Sequence, residues 1–292
     1  MVSVVIPTYN RAKTIRRAIE SVLCQTYQNL EVIVVDDASE DETKKIVDNI
    51  QDNRIQYVLL EQNHGACYAR NVGINRASGE YIGFLDSDDA WMEKKLERQL
   101  SFLKDSGADA VSCKFRYYER SGKVIDKPVF RVYEENVYEQ LLYKNFIATG
   151  GLLAKADVLR DEMFDTNLSR YQDWDLALRI AKKYRVFFCN EILLAVYYQE
   201  KSITGSTSVQ KTIDALKILY DKNREAYEHQ ENAKAFAHLN WLIGVRSLYT
   251  GEADYNALKL GASSGKKEKV MYCLARLGGR VLVKKIYSKV WI

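Results

Sequence analysis

Glu80-Tyr81-Ile82-Gly83-Phe84-Leu85-Asp86-Ser87-Asp88-Asp89-Ala90-Trp91 decides how the rest of the chain is read. Tyr81 to Leu85 are apolar or small, the pattern of a strand covered on both faces, and three carboxylates follow within four positions. A buried strand that stops in an acidic cluster sets those charges at the carboxyl edge of a sheet, where open α/β sheets take their ligands. Asp86 and Asp88 are two apart, so both reach one hard cation and leave its other positions to water and phosphate oxygens. Capping a helix near Trp91 would need one such residue rather than three. The spacing predicts a site for a metal and a phosphate group.

Toward the N terminus, Val2 to Ile6 is a continuous apolar run broken by Pro7-Thr8-Tyr9-Asn10. A helix follows, with Ile15, Ala18, Ile19, Val22 and Leu23 inward and Arg11, Lys13, Arg16 and Arg17 outside. Leu30 to Val35 reads as a second buried strand ending at Asp36-Asp37. Ser39-Glu40-Asp41-Glu42 then reads as a capping box, with Ser39 as the cap of a helix that turns Ile46, Val47 and Ile50 inward. Ile55 to Leu60 is a third strand, and Gly65-Ala66 lead into a helix from about Cys67 to Arg76. Four strands alternating with three helices predict a parallel, doubly wound α/β sheet.

Toward the C terminus the pattern changes. Leu96 to Leu103 is an amphipathic helix, Ala110 to Tyr117 a strand and Ser121-Gly122 a turn. A mixed region holds Gly150-Gly151 and Tyr171-Gln172-Asp173-Trp174-Asp175-Leu176. Val186 to Phe188 and Ile192 to Tyr198 read as two short strands, and from about Val209 the pattern is helical.

The whole chain has 292 residues, 47% apolar and 28% charged, which suits one large soluble domain or a domain with an appendage. No apolar run approaches the ~18 residues of a membrane span. Met1 to Pro7 lacks the basic leader and cleavage site of a signal peptide. The five cysteines are scattered without a Cys-x-x-Cys pair, so a reducing cytosol is expected rather than a disulfide framework or zinc site. Net charge is +4, but eight Lys or Arg against Glu268 give +7 from Lys266 onward, leaving −3 for residues 1–265. A slightly acidic body with a basic tail is not the charge pattern of a nucleic-acid binder.

Asp37 follows its buried strand as Asp88 follows its own, so both side chains emerge along one sheet edge. An acid after an early strand of a nucleotide-binding sheet takes hydrogen bonds from a base or ribose. Pro7, Thr8, Tyr9 and Asn10, at the end of the first strand, form the neighbouring wall, with the Tyr9 ring available to a base. Asn63 and Arg70 flank and occupy the helix leading to the acidic strand, and the Arg70 fork suits a diphosphate oxygen. His64 reads as a loop residue. The chain has no Gly-x-Gly-x-x-Gly and no P-loop, and its one Gly-x-Ser-x-Gly match, Gly261 to Gly265, falls in the helical stretch rather than after a strand, where a nucleophile elbow stands. Transfer from a nucleotide-activated donor remains.

Five blocks, in order and spacing, resemble family 2 glycosyltransferases of the GT-A fold over roughly residues 1–205. They are Pro7-Thr8-Tyr9-Asn10, Val34-Val35-Asp36-Asp37-Ala38-Ser39, Asn63 with Ala69-Arg70-Asn71, Gly79 to Asp89, and Gln172-Asp173-Trp174-Asp175-Leu176. The resemblance implies that Asp37 contacts the uracil or ribose of a UDP-sugar, and that Asp86 and Asp88 are the family's Asp-x-Asp holding Mn²⁺ or Mg²⁺ against the diphosphate. It implies that Asp173 is the catalytic base of an inverting single displacement onto a glycan, lipid-linked or protein-linked acceptor in surface-polymer assembly. Asp175 is the reserve base. Two departures stand out: Gln172 replaces the usual Glu before the base, and Tyr197-Tyr198-Gln199-Glu200 stands where many members carry Tyr-Arg-x-His. The expected division is 1–205 for the transferase domain, with halves 1–90 (nucleotide) and 91–205 (acceptor), and 206–292 for a helical region.

Beyond Lys266, Val270, Cys273, Leu274 and Leu277 share one helical face, and Val283, Ile286, Tyr287 and Val290 share another after Gly278-Gly279. Such a basic amphipathic tail reads either as a peripheral membrane contact at the inner face of the cell membrane or as a surface for packing or self-association. Two other functions compete with the transferase. A sugar nucleotidyltransferase would carry a Gly-rich loop after the first strand, which Pro7-Thr8-Tyr9-Asn10 lacks. A non-catalytic sugar-nucleotide-binding subunit would explain Gln172 and Glu200.

Overall fold

The computed structural model describes residues 1–133, 136–200, 208–250 and 253–276. Its first half runs β1 (Val2–Thr8), α1 (Ile15–Leu23), β2 (Leu30–Asp36), α2 (Thr43–Asp48), β3 (Ile55–Leu59), α3 (Ala66–Arg76) and β4 (Tyr81–Phe84). β1 lies between β2 and β4 and pairs parallel to both, while β3 extends the sheet beyond β2. Helices cover both faces, so every residue of β1 and β2 is buried, which is why these strands read as unbroken apolar runs. Full burial of each Val or Ile there contributes about 1.5–3 kcal/mol. The polar exceptions are satisfied: the Ser3 hydroxyl donates to Glu31 at 2.5 Å, and Ser78 donates to the same carboxylate through its amide and hydroxyl at 2.8 and 2.7 Å. Gly79 passes so close that an added Cβ would sit 2.7 Å from the Ser3 nitrogen.

The second half adds β5 (Ala90–Trp91), α4 (Lys95–Ser106), β6 (Ala110–Tyr118), β7 (Val124–Lys127), α5 (Val137–Tyr143), β8 (Leu153–Lys155), α6 (Ala156–Asp161), α7 (Gln172–Lys183) and β9 (Val186–Tyr197). The order across the sheet is β3-β2-β1-β4-β8-β6-β9-β5, with β7 paired to β6. β8 runs antiparallel to β4 and β6, and β6 and β9 are again parallel. This is the doubly wound, mainly parallel α/β sheet expected from the alternation. A core of β1, β2, α1 and α4 side chains, among them Ile15, Ile19, Val22, Leu96 and Leu100, fills the layer beneath the acidic strand.

Three local readings change. The two short strands at 186–188 and 192–198 are one strand, β9, carrying a bulge: the register jumps from Cys113↔Cys189 to Lys114↔Ile192. Asn190, Glu191 and, one step on, Leu193 are the extra residues, so the polar break in the apolar pattern is a kink rather than a turn. Ser39 does not cap α2. Its hydroxyl accepts from the Asn10 amide at 2.8 Å, and Asp41 takes the Thr43 amide at 2.9 Å instead. Arg17 is not on the outer face of α1: it is partly buried, with its guanidinium 3.9 Å above the Tyr197 ring centroid.

The chain divides into two compact units: residues 1–138, 145–167 and 172–200 form the first, and 139–144, 168–171 and 201 onward the second. The second contains α8 (Val209–Lys222), α9 (Arg224–Glu228), α10 (Ala233–Ser247), α11 (Tyr255–Gly261) and α12 (Lys266–Arg276). Its core gathers Trp241, Val245, Leu248, Leu258, Met271 and Ala275. α10 and α11 cross at glycine: a Cβ on Gly261 would lie 2.5 Å from the Trp241 Cα, and one on Gly244 would lie 2.6 Å from the Leu258 nitrogen. In α12 the buried residues are Met271 and Ala275, while Val270 is 58% exposed and Cys273 is exposed. The apolar stripe read at Val270 and Cys273 therefore faces outward. The second stretch of the tail, Val283 to Val290, lies outside the described residues.

Candidate active site

The parallel register brings Thr8, Asp36 and the residues after Phe84 to one edge of the sheet, and the loops leaving β1, β2 and β4 meet there. The Asp37 amide donates to the Thr8 carbonyl at 2.9 Å, so the loop after β2 is tied to the end of β1. The Asp37 carboxylate accepts from the His64 amide at 2.8 Å and the Gly65 amide at 2.7 Å, one on each oxygen. The Asn63 side chain donates to the Asp37 carbonyl at 3.2 Å. Asp37 is thus buried and clamps the start of α3, with the His64 and Tyr68 rings, 4.4 Å apart and inclined at 32°, just beyond. Any contact it makes to a ligand is shared with those two amides.

Asn10 closes the opposite side. With φ at 52° it lies in the left-handed region, and its side chain accepts from the Glu40 and Asp41 amides at 2.9 and 3.3 Å. Tyr9 is 42% exposed, its ring open to a flat ligand, while Pro7 is buried within β1. Ala38 at φ 65° and Tyr171 at φ 61° complete the non-glycine residues with positive φ among those described. All three flank candidate residues: Tyr9, Asp37 and Asp173. Strained backbone of this kind collects at ligand-holding loops.

Arg70, on the third helix, is buried and donates to the Asp86 carboxylate at 2.6 Å, with its guanidinium 5.2 Å from the Phe164 ring centroid. The Phe164 segment is pinned by Asn71, whose side-chain amide bonds the Phe164 carbonyl and amide at 2.8 and 2.9 Å. Asp88 lies 3.4 Å from Arg11, and its carbonyl accepts from Arg17. Asp89 turns inward to take the Tyr197 amide at 3.1 Å. Burial, reinforced by Asp86, holds the Asp88 carboxyl above the ordinary aspartate range. Burial together with Asp86 and Asp88 pushes Asp89 higher still.

Asp173 sits in the first turn of α7 and accepts from the Trp174 amide at 2.8 Å. Burial raises its pKa; bonds from Trp174 and Asn145 and the charge of Arg70 oppose that rise, and Asp86 adds to it. Asp173 therefore feels both members of the Arg70–Asp86 pair and belongs to the same cluster. Asp175 does not serve as a reserve base: it is 1% exposed and bound by Arg179 at 2.9 Å, which also holds Glu162 at 2.6 Å.

A divalent cation fits this set. Asp86 and Asp88 keep 38% and 18% of their side chains exposed. No group of three or more metal-ligating side chains stands together among the described residues. Two carboxylates completed by substrate phosphate oxygens are the usual protein share of a Mg²⁺ site. Thr8 Oγ1, Arg17 Nε and Arg70 Nε are buried without a partner, leaving polar atoms at this edge for a bound polyanion. Sequence reasoning missed Arg11, Arg17, Asn71 and Asn145. Arg17 stands one helical turn before Ser21, whose hydroxyl accepts from the Trp91 amide at 3.1 Å, but nothing in the sequence marks that face as covered.

Residues 3–161 match the family model described as Glycosyl transferase family 2. An Escherichia coli K12 glycosyltransferase assigned to colanic acid biosynthesis, WcaA, is 35% identical over 239 residues, covering 78% of this chain and 83% of the relative. An uncharacterized glycosyltransferase of Rickettsia felis is 34% identical over 183 residues, 62% of this chain but only 30% of its own length. The chain thus spans less than a third of that longer protein. Among solved structures, residues 1–349 of Staphylococcus aureus TarS in complex with UDP-GlcNAc superimpose with a TM-score of 0.68 at 20% identity, covering 99% and 91% of the two chains. The Pyrobaculum calidifontis mannosyltransferase PcManGT, in complex with GDP-Man and Mn²⁺, gives 0.56 at 21% identity over 99% and 87%. With more than half its length in the family model and the expected sheet beneath its acidic loop, the chain belongs to glycosyl transferase family 2.

Proposed function

We propose that the protein is an inverting glycosyltransferase that moves a sugar from a UDP-sugar to a glycan acceptor in surface polysaccharide or lipid-linked glycan assembly. The observation that carries the reading is the cluster at the sheet edge: Asp86 paired to buried Arg70, Asp88 beside Arg11, and Asp173 within reach of both Arg70 and Asp86. The nucleoside would lie against Thr8, Tyr9, Asn10 and the Asp37–Asn63 clamp. Arg11 and Arg70 would face the diphosphate. Mn²⁺ or Mg²⁺ held by Asp86 and Asp88 would supply positive charge beside the leaving group. Asp173 would take the acceptor hydroxyl proton as that oxygen bonds to the anomeric carbon and the sugar–phosphate bond breaks, its electron pair leaving with UDP.

Support for the donor comes from TarS, solved with UDP-GlcNAc, and for the metal from PcManGT, solved with Mn²⁺. Support for the pathway comes from WcaA and its colanic acid assignment. The reaction would take place where nucleotide sugars are made, in the cytoplasm beside the inner face of the membrane. No helix among the described residues is long and apolar enough to cross a membrane. Residues 1–205 would form the catalytic domain, with residues 206–292 as its helical extension.

The test is turnover of UDP-glucose, UDP-galactose and their N-acetyl forms with and without Mn²⁺. Asp173→Asn should lower kcat about 10²–10⁴-fold, the usual contribution of a general base, while UDP affinity stays within a few-fold. Asp86→Asn with Asp88→Asn should abolish metal-dependent donor binding. A donor that binds equally well without both acids sinks the reading.

A further inference from the structure

A second feature lies away from the acidic loop. The kink of β9 at Asn190 and Glu191, the partner strand β6 and the segment after β7 border a shallow, open cavity of about 440 Å³ lined by Lys114, Pro128, Val129, Phe130, Arg131 and Asn190. Lys114 is four residues before Tyr118, whose register partner Tyr197 bonds Asp89, so the cavity stands about 13 Å along the strand from the acids.

Its chemistry is one-sided. The cavity wall carries two cations and an amide but no carboxylate. Residues 114–131 hold six Lys or Arg against Glu119 and Asp126. Two of those cations are spoken for: Arg116 holds Asp126 at 2.7 and 3.1 Å, and Arg120 holds Glu200 at 3.0 Å. Lys114 and Arg131 make no ion pair among the described residues, and Arg131 rests 5.7 Å from the Tyr133 ring centroid. Asp126 feels the Lys114 charge but is already taken by Arg116. The bulge turns the Asn190 amide to the same opening, and its side chain makes no hydrogen bond among the described residues.

The rim is apolar and open to water. Val129 is 78% exposed, and Tyr133, under the Arg131 guanidinium, is 62% exposed. A site for a small soluble anion needs donors alone. Free cations beside projecting valine and tyrosine suit a phosphate carried on an apolar chain, lying at the boundary between headgroups and hydrocarbon.

We propose that this cavity seats the phosphate of an anionic lipid, with Lys114, Arg131 and Asn190 as donors and Val129 as the apolar anchor. The site is independent of the donor-binding reading: it holds or falls by membrane binding, without turnover.

The full chain is sedimented with phosphatidylcholine vesicles, with and without phosphatidylglycerol. Wild type should bind the anionic vesicles and stay in solution with phosphatidylcholine alone. The double variant K114Q/R131Q should bind about 30-fold more weakly, from two cations at ~1 kcal/mol each near a charged surface. V129D, at a position too exposed to affect folding, should weaken binding as well. The basic tail is present in every variant, so it cannot create the difference. Equal binding by wild type, the double variant and V129D overturns the proposal, as does a wild type that ignores anionic vesicles. Inorganic pyrophosphate that shifts the Asn190 side-chain amide resonance, with no vesicle binding, would reduce the cavity to a small-anion site and overturn it too.

Discussion

Asp173 makes a pH-dependent claim at the scale of one residue. Burial holds its carboxyl above the ~3.9 of a free aspartate, and a base acts only when deprotonated. The acid limb of kcat/KM should therefore fall through a pKa above that ordinary value. A limb at or below it would remove Asp173 as the titrating base. The stability sign follows from the same shift. The folded state holds the proton more tightly than the unfolded one, so stability declines as pH rises from the unfolded pKa through the folded one. Asp173→Asn should accordingly raise the melting temperature at pH 7 while turnover collapses. Asp37 behaves in the opposite way. Its two oxygens serve the His64 and Gly65 amides, and Asp37→Asn replaces one acceptor with an NH₂, leaving a buried amide unpaired at about 1–3 kcal/mol. Urea unfolding measures this; unchanged stability with lost donor affinity would show that ligand contact, not the clamp, is its main work. Asp86, Asp88 and Asp173 could be singled out as candidates because an acid at a strand or helix terminus is a local pattern. Arg11 and Arg17 were not, because each finds its partner some 70 residues away, which no periodicity encodes.

At the scale of elements, the acidic loop is held in place from its C-terminal side. β5 is two residues long, too short for any apolar alternation, yet its Trp91 indole donates to the Gly150 carbonyl at 2.8 Å. Next to it Lys95 is fully buried, donating to Gln99 at 2.5 Å and lying 4.0 Å from the Trp91 ring centroid, while Gln99 donates to the Gly151 carbonyl at 2.8 Å. One network thus joins β5, α4 and the turn at Gly150-Gly151. A lysine at the edge of an amphipathic helix reads as solvated, so no local pattern announces its burial. Desolvation lowers the Lys95 pKa to about 8. The unfolded chain then binds a proton the folded one resists, so this group costs about 3 kcal/mol below pH 8, and the cost fades toward pH 10.4. Lys95→Met should be more stable than wild type at pH 7, less the loss of one acceptor's partner at Gln99. The gap should narrow between pH 8 and 10, followed by chemical denaturation. A gap that stays constant from pH 8 to 10 would mean that Lys95 keeps its proton in the folded protein and that burial has not lowered its pKa.

At the scale of the whole molecule, the helical region raises a question its composition left open. The alternation of strands and helices fixed the sheet, because a buried parallel strand must be apolar along its whole length. Helical periodicity in the tail could say only that a stripe exists, not which side is covered. α12 buries Met271 and Ala275 in the core of its own unit, so Val270 and Cys273 remain outside, beside the exposed Lys266, Lys269 and Arg276. We propose that this exposed stripe meets an anionic surface, where each nearby cation contributes ~1 kcal/mol. A chain cut before Lys266 should then float less with anionic liposomes than the full chain, and the difference should shrink as salt rises and screens the charges. Equal flotation at low salt would assign the stripe to self-association, which light scattering of the two chains would register as a change in oligomer size.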